Sequence, residues 1–339
     1  MMTDRDREYL GYVKIMMKAQ RHDGFDYNDM TLELFRIQAR IVPPYAKWLS
    51  YLGKDPEQVS SIYQIPFLPV ELFKTETVLR QDADAGQSVL FTSSGTTGQV
   101  TSRHYVPDPE FYDINALNIF RNHYGSIEDY AVFGLLPSYL DRSGSSLIHM
   151  VHSFIRVSGY DGGGFFKDNF EAMQLGMAKA KQDGKKILLI GVTFALLQMA
   201  EQMPADFSGA VIMETGGMKG RMREMPREEV HQILCDAFKV KSIHSEYGMT
   251  ELLSQAYSPG EGIFYENDCM RILLRDPADP FDIARERTRG AVNVIDLANT
   301  DSCAFIQTAD LGERTGPGQF KILGRLDNSD IRGCNLLMA

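Results

Sequence analysis

Eight consecutive residues, Phe91-Thr92-Ser93-Ser94-Gly95-Thr96-Thr97-Gly98, gather the groups that hold a phosphate: small hydroxyl side chains and backbone N–H groups that glycine leaves accessible. They continue the apolar segment Val89-Leu90-Phe91, so the run is expected to leave a strand as a loop that curls its N–H dipoles around an anion. Ser93, Ser94, Thr96 and Thr97 would supply hydroxyl and backbone donors, while Gly95 and Gly98 permit close approach and positive φ. A nucleoside triphosphate is the natural guest of such a loop. No Gly-Lys-Ser/Thr ending follows, so this is not a Walker loop, and an ordinary Ser/Gly hairpin is the competing reading.

Three further segments follow in order: Tyr247-Gly248-Met249-Thr250-Glu251, Gln307-Thr308-Ala309-Asp310-Leu311-Gly312-Glu313 and Gly324-Arg325-Leu326-Asp327. Together the four resemble the phosphate loop, the aromatic-Gly-x-Thr-Glu segment, the Thr-x-Asp-x-Gly segment and the Gly-Arg-x-Asp hinge of the adenylate-forming superfamily. That superfamily contains acyl- and aryl-CoA synthetases, luciferases and peptide-synthetase adenylation domains. The resemblance runs from about Val89 to Gly333. Within the superfamily the chain is most similar to the acyl-protein synthetase family of bacterial bioluminescence, the fatty-acid-activating component of a reductase complex. The short length and the ending Arg332-Gly333-Cys334 favour that branch.

The resemblance implies ATP and Mg²⁺ as cofactors and a role for each matching residue. Tyr247 would stack on adenine, Thr250 would contact the α-phosphate and Glu251 would ligate magnesium, with Gly248 between them. The chemistry suits each role, since a flat aromatic offers π contact and Mg²⁺ prefers hard carboxylate oxygens. A helix start, with Thr250 as cap and Glu251 in the first turn, is the alternative for this segment. Glu246 is another metal-ligand candidate or a solvated neighbour. Asp310 would accept hydrogen bonds from both ribose hydroxyls, with an Asx-turn as its plainer use. Arg325 would contact ribose or phosphate, and Asp327 would be the hinge residue. Gly216 and Gly217, in Glu214-Thr215-Gly216-Gly217-Met218-Lys219-Gly220, match the Gly-rich adenine-side loop, or form a plain strand-to-helix turn.

The chain departs from the family pattern in two places. Where the family follows its phosphate loop with Pro-Lys, Val100-Thr101 stands here, and Arg103 or His104 is left to supply positive charge or to face solvent. The usual C-terminal lid domain with its lysine is expected to be absent, because only fourteen residues follow Arg325. In the acyl-protein synthetases a cysteine near the C-terminus receives the acyl group, which gives Cys334 the role of thioester acceptor, with Arg332 favouring its thiolate. Substrate-side residues are harder to place. His149 and His152 share a helical face, and interior histidines are the default reading for them.

The implied function is activation of a carboxylic acid, a fatty acid in particular, as its acyl-adenylate, followed by transfer to a thiol on the enzyme, on an acceptor or reductase protein, or on a carrier. Two rivals remain. One is an acyltransferase that takes already activated acyl groups from CoA or a carrier without ATP, and the other is a non-catalytic adenylate-binding subunit.

The elements that must position these residues are legible in outline. The first 64 residues read as a helical cap, with helices over Asp4–Gln20 and Tyr27–Ile41, an interruption at Pro43-Pro44 and a further helical piece near Trp48. From residue 65 to 256, apolar runs at Ala131–Leu136, Lys186–Gly191, Val211–Met213 and Lys241–Ile243 alternate with amphipathic stretches at Ser145–Phe154, Phe194–Met203 and Arg227–Phe238. These are βα units carrying the nucleotide- and acyl-binding core. Residues 257–325 turn to short strands, a distorted β subdomain completing the ATP site, and 326–339 form a hinge remnant and tail. The fold class is therefore α/β, the large-domain fold of adenylate-forming enzymes.

Composition sets the outer bounds. Of 339 residues, 44% are hydrophobic, enough for a full core of a soluble globular protein. The net charge of −10 argues against a nucleic-acid partner, which needs a positive surface. Among the basic residues Lys219, Arg221, Arg223 and Arg227, the last two read as a solvated helix face. No secretion signal or membrane span is expected, so the cytoplasm is the predicted location. The four cysteines, Cys235, Cys269, Cys303 and Cys334, are scattered and show no Cys-x-x-Cys pair, which argues for reduced thiols. A homo-oligomer is left open.

Overall fold

The computed structural model describes residues 2–19, 26–93, 100–137, 143–216 and 225–326. The chain forms two compact units that are not consecutive blocks. The first comprises Met1–Asn115, Met249–Ser254 and Tyr265–Ala339, and the second Ala116–Gly248 and Gln255–Phe264.

The first unit is built on an antiparallel sheet in the order Met270–Arg275, Arg289–Asp296, Phe305–Gly316, Gln319–Arg325, with the short strand Leu68–Pro69 running parallel to the start of the third. Three helices, Asp4–Ala19, Tyr27–Ile41 and Pro43–Tyr51, form where the sequence places them. Asp26 caps the second by accepting from the N–H groups of Asn28 (2.8 Å) and Asp29 (3.1 Å). Val42, extended, ends it, and Pro43 opens the third at a position where its missing N–H costs nothing. Phe305 joins helices to sheet: its ring centroid lies 5.7 Å from Phe35, 6.1 Å from Tyr45 and 6.1 Å from Phe67. Gln38, fully buried on the second helix, donates to the Asn299 carbonyl (2.8 Å) and accepts from the Ala304 N–H (2.8 Å), so the helix also grips the turn between strands.

A separate antiparallel pair of strands, Val89–Thr92 with Arg103–Val106, includes Phe91 and Thr92, the first residues of the hydroxyl-rich run. Its second strand buries His104 and Val106, as Ser102 just before it is buried, and leaves Arg103 and Tyr105 half-buried, the two-residue period of a strand with one face covered.

The second unit is a parallel sheet in the order Gly164–Phe166, Tyr130–Leu135, Lys186–Val192, Val211–Thr215, His244–Tyr247, closed by antiparallel Ala256–Ser258. Helices Ser146–Ser158, Phe170–Gln182, Thr193–Gln202 and Arg227–Phe238 connect the strands. All six residues of Tyr130–Leu135 are buried, as a parallel strand covered on both faces requires. The strand expected at Lys241–Ile243 begins instead at His244 and includes Glu246 and Tyr247. Lys241 is exposed, and the apolar Ile243 is only the approach to a strand whose own residues are mostly polar.

Candidate functional site

Within the first unit the fold gathers residues from all four sequence segments. At the hairpin stem Ser93 N–H donates to the Ser102 carbonyl (3.2 Å), and Ser102 N–H donates to the Ser93 hydroxyl (2.9 Å). The Ser93 hydroxyl thus already accepts one bond and keeps its proton to donate elsewhere. The Ser102 hydroxyl in turn hydrogen-bonds the Glu251 carboxylate, and Arg325 and Asp310 lie within electrostatic reach of that carboxylate. Asp310 and Arg325 face each other across paired strands, with Asp310 Oδ1 3.7 Å from Arg325 Nε. Asp310 lies within the strand Phe305–Gly316, so the Asx-turn alternative does not hold there.

Burial is the main cause of the raised pKa of Glu251, and Asp310 adds to it; the Ser102 hydroxyl and the Arg325 charge act the other way. Glu251 is only 4% exposed. It sits in a turn, with Leu252 N–H donating to the Met249 carbonyl (3.2 Å), and no helix follows, which overturns the helix-start alternative.

Four polar side chains hold the segment Met249–Ser254 in place. Asp296 accepts from the N–H groups of Leu253 (2.7 Å) and Ser254 (3.1 Å) and from the Ser254 hydroxyl (2.6 Å). Asn115 donates to the Leu253 carbonyl (2.8 Å) and Asn299 to the Glu251 carbonyl (2.8 Å). His104 places Nδ1 2.9 Å from the Thr250 carbonyl oxygen and Nε2 3.2 Å from Asn299 Oδ1. Two oxygen acceptors favour a charged ring and complete burial opposes it. Burial is the larger effect and lowers the pKa to about 4, so the ring is neutral and carries one proton; the Thr250 carbonyl can only accept, and the shorter contact assigns that proton to Nδ1. His104 therefore neither faces solvent nor offers a charge to a phosphate. Sequence reasoning missed Asp296 and Asn299; the available signal was an acid closing the apolar strand Ala291–Ile295 and followed at once by Leu297 and Ala298.

In the second unit, Gly216, Tyr247 and Gly248 lie at or just beyond the C-terminal ends of adjacent parallel strands, the edge where open α/β sheets bind ligands. Gly216 adopts φ 71°, and its carbonyl accepts from the Thr193 hydroxyl (3.0 Å). A Cβ at Gly248 would lie 2.3 Å from Glu246 Oε1, so any other residue there requires the Glu246 carboxylate to move. The Tyr247 ring lies 5.9 Å from that of Phe264.

Glu246 is buried rather than solvated; burial raises its pKa to about 7, against the opposing hydrogen bond from the Thr215 hydroxyl. Glu214, also buried, accepts from Thr193 (2.9 Å) and Ser245 (2.8 Å) and lies 3.3 Å from Arg227 Nε. Arg227 is thus an ion-pair partner and not part of a solvated face. His152 is exposed and His149 half-buried, contrary to the interior reading of both.

Ser94, Gly95, Thr96, Thr97, Gly98, Gly217, Arg223, Asp327 and Cys334 lie outside the described residues. Among the described residues there is no group of three or more His, Cys, Asp or Glu that could hold a metal unaided, and no helix is long and apolar enough to cross a membrane. A buried carboxylate beside a hydroxyl, next to an acid facing an arginine, can share a cation with a polyanion and grip a vicinal diol.

No family model matches the chain. In sequence it is similar to the "Long-chain-fatty-acid--luciferin-component ligase" of Vibrio harveyi, 25% identical over 87% of this chain and 82% of that protein. In structure it is similar to the ATP-bound RpMatB-BxBclM chimera B3, with TM-score 0.52 and 14% identity over 73% of this chain and 50% of that one. It is also similar to apo MatB from Rhodopseudomonas palustris, with TM-score 0.50 and 14% identity over 73% of this chain and 49% of that one. The chain thus spans about half the length of these solved structures. It has the large-domain α/β fold of the adenylate-forming enzymes, and in sequence it resembles their acyl-protein synthetase family.

Proposed function

We propose that this chain activates a carboxylic acid, a long-chain fatty acid in particular, with ATP and passes the acyl group to a thiol. The observation that carries the proposal is the convergence, in one unit, of Glu251 with Ser102 at the stem of the hydroxyl-rich hairpin and with the Asp310–Arg325 pair. The name of the Vibrio harveyi relative supports the choice of acid, and the ATP-bound neighbour supports the nucleotide.

In the first step a substrate carboxylate oxygen attacks the α-phosphorus, the bond to the bridging oxygen of the β-phosphate breaks, and pyrophosphate leaves. Ser93 and the hydroxyls of Ser94, Thr96 and Thr97 hold the β and γ phosphates, and Thr250 donates to the α-phosphate. Asp310 accepts from the ribose hydroxyls, and Arg325 steadies ribose or phosphate. Tyr247, with the backbone of Gly216, Gly217 and Gly248, contacts adenine. Magnesium fits Glu251, whose buried carboxylate is a hard ligand that gains from a nearby cation; the ion would draw charge from the phosphates. In the second step a thiolate attacks the acyl carbon, the carbon–oxygen bond to AMP breaks, and a thioester forms on Cys334 or on an acceptor, carrier or reductase protein. The unpaired thiols Cys235, Cys269 and Cys303 support a reducing, cytoplasmic setting.

Acid-dependent exchange of labelled pyrophosphate into ATP, with intact mass measured after ATP, magnesium and a fatty acid, tests the proposal. Exchange, with a hydroxylamine-labile mass gain absent from Cys334→Ser, is expected. Acylation from acyl-CoA without any exchange would instead establish an acyltransferase.

A further inference from the structure

Two carbonyls in succession, those of Thr250 and Glu251, are each held by a side chain far away in sequence. His104 donates from Nδ1 to the first at 2.9 Å, and Asn299 donates from Nδ2 to the second at 2.8 Å. Both side chains are fully buried. His104 lies two residues after Ser102 on the same face of the strand Arg103–Val106 and its approach, so one extended segment presents a hydroxyl to the Glu251 carboxylate and an imidazole to the backbone beside it. A strand is stiff, and its alternate residues keep a fixed separation; Ser102, at its start, is hydrogen-bonded to Ser93. Phe73 packs edge-on against the imidazole, with ring centroids 5.6 Å apart, which restricts its rotation.

We propose that His104 is a positioning residue that locks the Thr250–Glu251 backbone to the paired strands Val89–Thr92 and Arg103–Val106, so that Ser93, Ser102 and the metal-binding carboxylate are set by one rigid element. The inference rests on the proposed ATP and magnesium site, but the lock itself is a property of the fold. Leu252 and Leu253 bury their apolar side chains, but Thr250 precedes them in the turn, and a buried carbonyl without a donor is costly. Without the His104 donor, Thr250 and Glu251 lose one of their two ties and the carboxylate is no longer held in register with Ser93 and Ser102.

The test uses the full-length chain and two variants. His104→Phe keeps the ring and its packing on Phe73 but removes the donor; His104→Asn restores an amide N–H near the place of Nδ1. Hydrogen exchange by mass spectrometry over Met249–Ser254 reads the lock directly, and electron paramagnetic resonance titration with Mn²⁺ and ATP reads its consequence for the site. In His104→Phe, exchange in that segment should rise at least about tenfold and Mn²⁺–ATP should bind about fivefold more weakly, the loss of one buried hydrogen bond. ATP binding in the presence of EDTA should stay unchanged, and His104→Asn should recover most of both losses. Unaltered exchange in His104→Phe overturns the lock. Raised exchange with unaltered Mn²⁺–ATP binding overturns its role toward the site. If the wild-type chain itself fails to bind Mn²⁺–ATP, the functional assignment and the positioning role fall together, and the exchange data still decide whether the lock exists.

Discussion

Replacing Asp296 by Asn separates the anchoring of the Glu251 turn from everything else that titrates nearby. The carboxylate is fully buried and accepts from Leu253, Ser254 and Ala298 N–H groups and from the Ser254 hydroxyl. Burial outweighs these donors and raises its pKa from 3.8 to about 6. The folded state therefore holds this proton more tightly than the unfolded chain, and the contribution to stability is full below the unfolded value and lost as pH rises through about 6. The whole difference is worth about 3 kcal/mol, of which roughly 1 kcal/mol is lost between about pH 5 and pH 7. His104 acts in the opposite sense. Its pKa, lowered to about 4, makes stability rise with pH across the same range, so a wild-type curve alone mixes the two. Only the difference between wild type and Asp296→Asn isolates the carboxyl group. Asparagine turns one acceptor into a donor that faces other donors, which costs about 1–3 kcal/mol at pH 5. That deficit should shrink by roughly 1 kcal/mol at pH 7, where the wild type bears a buried charge and the variant does not. Trp48, the chain's one tryptophan, belongs to the same unit and donates from its indole to the Phe67 carbonyl (3.1 Å), so urea unfolding followed by its fluorescence reports that unit. A deficit that stays constant across this pH range would refute the reasoning.

Asp310→Ala should raise the KM for ATP in pyrophosphate exchange about tenfold or more, the loss of a charged acceptor for ribose. It should move thermal stability little, because its partner Arg325 is 76% exposed and the pair is screened. Glu251→Gln should raise the magnesium concentration needed for half-maximal exchange; the same magnesium dependence as wild type would remove Glu251 from the metal site. Phe305→Ala should cost about 3–5 kcal/mol in Trp48-monitored unfolding, because it deletes the ring that joins Phe35, Tyr45 and Phe67.

Most βα strands and the first three helices could be read in the sequence because apolar spacing specifies them, while the mostly polar strand His244–Tyr247 begins later than that spacing suggests. The polar anchors could not. Asn299-Thr300-Asp301-Ser302 reads as an exposed turn, yet all four residues are buried. Lys14 and Arg80 pair with Asp301 at 2.7 and 2.8 Å, Gln38 binds the Asn299 carbonyl, and Ser302 donates to the Val78 carbonyl at 3.0 Å. Each partner lies more than two hundred residues away, beyond the reach of any local pattern. Glu246 was misread for a related reason. A charged residue beside Tyr247 looks solvated until the sheet closes over it, and only then does burial raise its pKa to about 7. Motif matching singled out Glu251, Asp310 and Arg325, which the fold brings near one another, because it carries long-range information that periodicity lacks.

These anchors explain why the N-terminal helices matter to a site they do not line. Burying the turn at residues 299–302 is costly unless its charged and most of its polar groups are paired, and those pairs come from Lys14, Gln38 and Arg80, while the Thr300 hydroxyl stays unpaired. Once buried, the turn holds Asn299 still, and Asn299 holds the Glu251 carbonyl. Asp296, one strand end earlier, fixes Leu253 and Ser254 in the same way. The carboxylate at 251 is thus positioned through hydrogen bonds that trace back to the first forty residues. Loss of the Lys14 or Gln38 side chain should therefore loosen the Met249–Ser254 turn before it unfolds the sheet, since the strands keep their own backbone ladders while the turn has one backbone bond of its own, from Leu252 to Met249, and otherwise depends on side chains.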